Sequence, residues 1–155
     1  MAIAEADNGI DETEPLLGAL LRMPYQAMMT EAVEPRLVAA GYDDVRAAHL
    51  PVLQALTWHP GGLRATELAA HSRITKQSMG YLVEHLEARG YIERAPDPVD
   101  GRAKVVRLTP RGWEATQVIR DAVRRVEDDW GRRIGLVRVE QLRGILRDLV
   151  ATLQR

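Results

Sequence analysis

The most restrictive stretch of this sequence is ITKQSMGYLVEHLEARGYIER, from Ile74 to Arg94. Met79, Leu82, Val83 and Leu86 recur at i, i+3, i+4 and i+7, so one side of a helix is apolar and needs a neighbour to cover it. Both ends are marked. Thr75 is a candidate N-cap, with Ile74 before it and Met79 after it placed as a hydrophobic staple. Gly90, just past Arg89, is the residue expected to leave the helix in the left-handed conformation.

The face opposite Met79 and Leu86 carries Gln77 and Tyr81, four apart and therefore stacked, with Ser78, Gly80 and Glu84 beside them and Lys76 on the flank. Such a polar, mostly uncharged face suits base edges. Gln pairs with adenine through two hydrogen bonds, Thr, Ser and Lys suit phosphates or bases, and a helix N-terminus attracts phosphate. Gly80 costs about 1 kcal/mol against Ala within a helix, which a close approach by another backbone would explain. An ordinary solvated helix face is the alternative for this pattern taken alone.

The flanks favour nucleic-acid reading. Upstream, Leu63, Leu68 and Ala69 with Thr66 and Glu67 predict a short helix ending near His71, then a tight turn through Ser72 and Arg73 into Thr75, which is helix-turn-helix spacing. Downstream, Tyr91 to Arg94 has strand character, Pro96 to Gly101 is dense in turn residues, and Lys104 to Leu108 alternates, with Val106 and Leu108 on one face. A helix-turn-helix followed by a hairpin is a winged helix.

The string DPVDGRAKVVRLTPRG, Asp97 to Gly112, resembles the wing of the multiple-antibiotic-resistance regulator (MarR) family, whose usual form is D-x-R followed by V-x-L-T and a helix opening near a Gly. Asp100, Arg102, Val106, Leu108, Thr109 and Gly112 match in order and spacing. The segments Leu86 to Arg94 and Gly41 to Leu56 are also similar to that family. Arg64 departs from it, because members often carry a Ser or Thr cap there. The resemblance implies that Arg102 enters the minor groove from the wing tip, that Asp100 pins its guanidinium, and that Lys104 lies on the same wing. A narrow minor groove concentrates negative potential, so an arginine on a tight hairpin suits it. A surface Asp–Arg pair worth about 0 to 1 kcal/mol is the plainer alternative.

The chain has 155 residues, 46% of them apolar, which suits one domain or a compact subunit. It has no cysteine, which excludes disulfides, thiolate metal sites and a cysteine redox sensor. No apolar run approaches a membrane span and no signal peptide precedes Glu14, so the expectation is a soluble, cytoplasmic protein. The net charge of −1 looks wrong for a DNA binder until it is divided: residues 1–50 hold 3 basic and 9 acidic side chains, residues 51–110 hold 8 and 6, and residues 111–155 hold 10 and 7. The only lysines, Lys76 and Lys104, both lie in the winged-helix stretch. Local charge of this size predicts salt-sensitive phosphate binding and argues against a non-specific architectural protein.

The fold expected is mainly α (α+β), a winged helix-turn-helix with N- and C-terminal helices forming a dimerisation region. Residues 1–13 read as a mobile acidic tail and residues 14–155 as one domain, with 14–57 and 110–155 mainly dimerisation helices and 58–109 the winged-helix lobe. A long helix from Glu14 carries Leu16, Leu17, Leu20, Leu21, Met28, Met29, Val33 and Leu37, kinked near Pro24, bent again at Pro35 and ended by Gly41. A second helix is expected over about Asp44 to Thr57, with Pro51 unexplained inside it, and Trp58 to Gly62 as the linking loop. Thr109 as N-cap and Pro110 at the first position open a third, with a stripe of Ala115, Ile119, Ala122, Val123, Val126 and Trp130. Past Gly135, Leu142, Ile145, Leu146, Leu149 and Leu153 form another narrow stripe. One small lobe cannot cover all these surfaces, so a second subunit is expected to; an intramolecular bundle is the alternative.

A dimer must place its two reading helices in successive major grooves about 34–36 Å apart, so double-stranded DNA with a pseudo-palindromic site is the expected partner. A ligand between the dimer helices and the lobe shifts that spacing if it binds one spacing more tightly. The family resemblance implies a repressor relieved by a small aromatic or phenolic effector. Candidate pocket residues are Tyr25, Met28, Met29, His49, Val52, Trp58 and Trp113, whose side chains suit an adaptable apolar cleft, although such residues at helical spacing also serve as plain core.

Enzyme chemistry finds no support. His49, His59, His71 and His85 are scattered, none forms a ligand pair of the H-E-x-x-H kind, and no Ser-His-Asp set or phosphate-cradling Gly loop occurs, so no catalytic, metal or cofactor residue is expected, with a zinc-responsive site of His and acidic residues as the alternative. The competing reading is a dimeric protein-interaction module that keeps the winged-helix frame without reading DNA.

Overall fold

The computed structural model describes residues 14–153. The acidic tail assigned to residues 1–13 lies outside them, as do residues 154 and 155. Among the described residues, seven α-helices and one hairpin follow in the order α1 (Leu17–Ala27), a π-helical segment (Met28–Val33), α2 (Glu34–Ala39), a 3-10 turn (Ala47–His49), α3 (Leu50–Trp58), α4 (Ala65–Ser72), α5 (Lys76–Ala88), β1 (Ile92–Pro96), β2 (Lys104–Leu108), α6 (Pro110–Ile134) and α7 (Leu136–Leu153).

The first helical stretch runs from Leu17 to Ala39, with its irregularity placed differently from the expected kink at Pro24. Pro24 lies within α1 and Pro35 in the first turn of α2. Each proline removes one amide donor from the ladder. The π-helical turns of Met28–Val33 lie between them and absorb the mismatch, with the Thr30 hydroxyl donating to the Gln26 carbonyl at 2.9 Å. Gly41, at φ +83°, ends the stretch.

The second helix starts later than the sequence pattern suggested. Asp44 lies in a turn, and α3 begins only at Leu50, after the 3-10 turn. Pro51 therefore occupies the first turn of α3, where its missing amide would have had no partner. Trp58 is the last residue of α3 rather than part of a loop.

Leu63 also moves. It is not helical but pairs with Val106 on the free side of β2, with N···O distances of 3.0 and 2.8 Å. The two strands are antiparallel, with Ile92 opposite Leu108 and Pro96 opposite Lys104.

The core lies where α3, α5, the hairpin and the first half of α6 meet under Met29, Val33 and Leu37: Val52, Leu53, Leu56, Leu68, Met79, Val83, Leu86, Tyr91 and Ile92 are all nearly or fully inaccessible. Burial of Met79, Val83 and Leu86 confirms the apolar side of α5. The entry to α6 is fixed by a close approach. A Cβ on Gly112 would stand 2.0 Å from the Tyr91 carbonyl oxygen, so only glycine lets α6 start against the hairpin. The Thr109 hydroxyl accepts the Gly112 amide at 3.1 Å and completes the predicted cap.

The first and last described helices have little packed against them. No residue of α1 is buried, and Val139 alone is buried in α7. Leu17, Leu20 and Leu21 on one side and Leu142, Ile145, Leu149 and Leu153 on the other remain exposed. No helix among the described residues is long and apolar enough to cross a membrane.

Candidate nucleic-acid interface

Helix α4 ends at Arg73, whose left-handed backbone (φ 53°, ψ 39°) turns the chain sharply into Thr75. The Thr75 hydroxyl accepts the Ser78 amide at 3.1 Å and lies 2.9 Å from the Ser78 hydroxyl. Both side chains are therefore committed first to the helix start, leaving spare lone pairs for an outside donor. Lys76, Gln77 and Tyr81 are exposed. Gln77 Nε2 donates to the Tyr81 hydroxyl at 3.4 Å, so these two form one polar unit on the outer face. Gly80 has no atom of the chain within 4 Å of a built Cβ, so no intrachain backbone approach explains it.

On the wing, Arg102 and Lys104 are exposed, and neither they nor Lys76 join an ion pair among the described residues. The neighbouring arginines differ: Arg107 pairs with Glu93 directly across the strands at 2.7 Å, and Arg94 with Glu87 at 2.7 Å. Arg102 thus lies in the turn of the hairpin and Lys104 at the start of β2, while Lys76 opens α5.

Asp100 has another role than the resemblance implied. Its carboxylate accepts the Arg102 backbone amide at 3.2 Å and faces Arg64 at 3.7 Å, leaving the Arg102 guanidinium free. The residue sequence reasoning missed is Asp97. It is buried, accepts the amides of Val99 at 2.8 Å and Asp100 at 3.3 Å, and receives Arg64 Nε and Nη2 at 2.8 and 2.6 Å. The Val99 amide, then Arg64, hold its carboxyl below the usual carboxylate range. Arg64 is the N-cap residue of α4, where the Glu67 carboxylate accepts its amide at 2.6 Å. A guanidinium accepts no hydrogen bond, so the usual side-chain cap is replaced by an ion pair that ties α4 to the base of the wing. The departure at Arg64 was the available signal.

A second feature is a groove of about 560 Å³ between α1, the π-helical segment, α3 and α6. Tyr25, Met28, Met29 and Trp58 line it as expected. His49, Val52 and Trp113 do not. Val52 faces the core and is fully buried, and Trp113 packs against that core one turn into α6. His49 is buried beneath α5, where its ring stacks on His85 at 4.3 Å and its Nδ1 accepts the Arg46 amide at 2.9 Å. Burial, then the neighbouring His85, lowers its pKa to about 4, so it is neutral at pH 7. Arg120 and Arg124 of α6 also line the groove and were absent from the sequence reading. Their i, i+4 spacing on the flank of the Ile119–Val123 stripe was the cue.

A three-element lobe in which a capped, solvent-facing second helix is followed by a hairpin with free cations defines a winged helix-turn-helix protein. Residues 43–103 match the MarR family model, and the chain carries a MarR family domain. A candidate transcriptional regulatory protein for the hcr operon of Thauera aromatica is 32% identical over 98 residues, covering 63% of this chain and 58% of that protein. The chain thus matches somewhat over half the length of that relative. A crystal structure of MarR superposes with TM-score 0.75 and 26% identity over 93% of this chain and 94% of that one. CouR from Rhodococcus jostii RHA1, bound to p-coumaroyl-CoA, superposes with TM-score 0.61 and 28% identity over 85% and 90%. These relatives are regulators, not enzymes.

Proposed function

We propose that the chain is a sequence-specific DNA-binding transcriptional regulator, a homodimeric repressor acting on a pseudo-palindromic operator and released by a small aromatic effector. The observation that carries this reading is the coincidence, on one lobe, of an exposed Gln77–Tyr81 face with wing cations that pair with no carboxylate among the described residues. Thr75, Lys76 and Ser78 extend that face to phosphates at the helix start, and Asp100 shapes the wing tip that presents Arg102, with Lys104 beside it.

The homodimer is supported by the leucines and isoleucine left uncovered on α1 and α7, apolar surface that a second copy would bury. Twofold symmetry then sets half-sites about one helical turn apart. The groove lies between α1, α3 and α6, helices assigned to the dimerisation region, and reaches the lobe at Trp58, so a ligand there that favours one lobe spacing shifts the population away from DNA. CouR, with p-coumaroyl-CoA bound, is a relative in which an aromatic conjugate occupies the protein.

Selection of bound sequences from a random DNA pool, combined with light scattering of the free protein, tests the reading. A dimer that enriches a pseudo-palindrome is expected. A monomer at micromolar concentration that enriches no motif overturns it in favour of a protein-interaction module.

A further inference from the structure

Tyr91 stands where α5, the wing and α6 meet, and it is the largest fully buried side chain among the described residues. Gly90, at φ +75°, ends α5, and the Tyr91 amide donates back to the Leu86 carbonyl at 3.0 Å, so the chain doubles back with the ring in the core. A buried phenol needs a partner for its hydroxyl. Here it donates to the Asp44 carboxylate and accepts Arg111 Nη2 at 3.1 Å. Burial, then the bond to Asp44, push its pKa up to about 12, so it remains a donor at neutral pH.

Its partners belong to different parts of the fold. Asp44 follows α2 and also holds the end of α5: Arg89 pairs with its carboxylate at 3.3 Å, and His85 Nε2 donates to its carbonyl at 3.1 Å. Arg111 belongs to the first turn of α6, on the solvent edge, where its guanidinium lies 4.8 and 5.2 Å from the ring centroids of Tyr91 and Tyr42. Tyr42 reaches α6 as well, donating to Glu114 at 3.1 Å. The Tyr91 carbonyl adds a backbone tie by accepting the Thr109 amide at 3.1 Å.

We infer that Tyr91 is a positioning residue for DNA reading: through Asp44 and Arg111 its hydroxyl fixes the angle between α5 and α6, and with it the half-site spacing that the dimer accepts. This role rests on the reading of the chain as a dimer on a twofold operator and names the joint that sets the geometry.

The length of α6 gives that joint its leverage. Its 25 residues span about 37 Å, so a swing of about 5° at its start moves the far end by about 3 Å. One base pair occupies about 3.4 Å of duplex. A joint loose by a few degrees therefore blurs the register between two half-sites, whereas one half-site needs only α5 and the wing of a single lobe.

Duplexes carrying the pseudo-palindrome enriched from the random pool, with its spacer shortened or lengthened by one and by two base pairs, are titrated by fluorescence anisotropy at one salt concentration. A duplex with a single half-site is the control. Tyr91→Phe keeps the ring and removes only the hydroxyl. The wild type is expected to favour one spacing. Tyr91→Phe is expected to shrink the penalty for one added or missing base pair by at least about threefold, with half-site affinity within about twofold of the wild type. Arg111→Ala is expected to act in the same direction, and Arg111→Lys, which keeps the charge without the planar stack, to fall between. A wild-type optimum that both Tyr91→Phe and Arg111→Ala retain overturns the role and leaves the twofold operator standing. So does a loss of affinity equal at every spacing and at the half-site, the mark of a purely structural contribution. A wild type indifferent to spacing overturns the twofold reading and this role together. Arg111→Ala decides the matter even if Tyr91→Phe does not fold.

Discussion

Arg64 Nη2 lies 2.6 Å from the Asp97 carboxylate, joining the N-cap residue of helix α4 to the start of the wing turn, 33 positions later in the chain. Asp97 in turn accepts the amides of Val99 and Asp100, so one carboxylate fixes both the turn and its attachment to the lobe. The wing cations Arg102 and Lys104 inherit their position from it.

Replacing Arg64 with Ala should leave the dimer intact and free the wing from α4. A loosened wing must be ordered again on binding, so affinity for the operator should fall by roughly threefold to tenfold. Arg64→Lys should recover part of this, since it restores the charge without the paired donors. Anisotropy titrations of the three proteins at one salt concentration make the comparison; equal affinities would remove Arg64 and Asp97 from the mechanism.

Removal of the Arg102 side chain should act differently from removal of Gln77. Arg102→Ala should weaken operator binding by at least about 1 kcal/mol without altering the dimer. Gln77→Ala should relax base preference at one position in each half-site more than it weakens binding to unrelated DNA. Titrations against the operator and a scrambled duplex separate the two. A uniform loss for Gln77→Ala across all sequences would show that it reads no base.

Two glycines should respond in opposite ways to alanine. At Gly112 the new methyl would meet the Tyr91 carbonyl oxygen at 2.0 Å, so α6 must shift off the hairpin, at a cost of about 3 kcal/mol or more. At Gly80 nothing lies within 4 Å, and Gly80→Ala should raise stability by about 0.5–1 kcal/mol through helix propensity. If Gly80 is kept for close approach by a DNA backbone, the same variant should bind operator less well. Chemical denaturation and anisotropy on both variants test this; a harmless Gly112→Ala would contradict the packing described.

These contrasts show what was legible in the sequence. Local signals survived: Thr75, Thr109 and Gly90 mark helix ends through short-range geometry, and Met79, Val83 and Leu86 announce their burial by spacing. What failed depended on contacts distant in the chain. Leu63 has the composition of a helical residue but pairs with Val106, and Arg64 finds Asp97 across the lobe. Val52 and Leu53 are adjacent and equally apolar, yet Leu53 alone reaches the groove because successive helical residues point 100° apart and only the partner helices decide which direction is open. Pro51 was legible in principle, since proline tolerates the first turn; the apolar pattern continuing upstream to Val45 disguised where that turn began.

His49 offers a prediction in the pH dependence of stability. In the folded chain its pKa is lowered to about 4 by burial first and by His85 second, with Arg89 and Arg46 acting in the same direction and Asp44 opposing them. Unfolded, it titrates near its ordinary value of 6.5. Between these values the unfolded chain binds more protons, so stability must rise with pH in that range. The contribution is fully present above about pH 6.5 and is lost progressively as pH falls through about 4. Protonation would also take away the Nδ1 acceptor of the Arg46 amide and set a cation against the His85 ring that α5 supplies. Carboxylates titrate in the same range, so the measurement is a difference. Denaturation of the wild type and of His49→Gln should be compared from pH 7 to pH 4, because Gln keeps an acceptor without titrating. The wild type should lose on the order of 2 kcal/mol more than the variant over that interval. Parallel stability curves for the two proteins would mean that His49 titrates alike in the folded and unfolded chains, and that its stacked position against α5 carries no pH sensitivity.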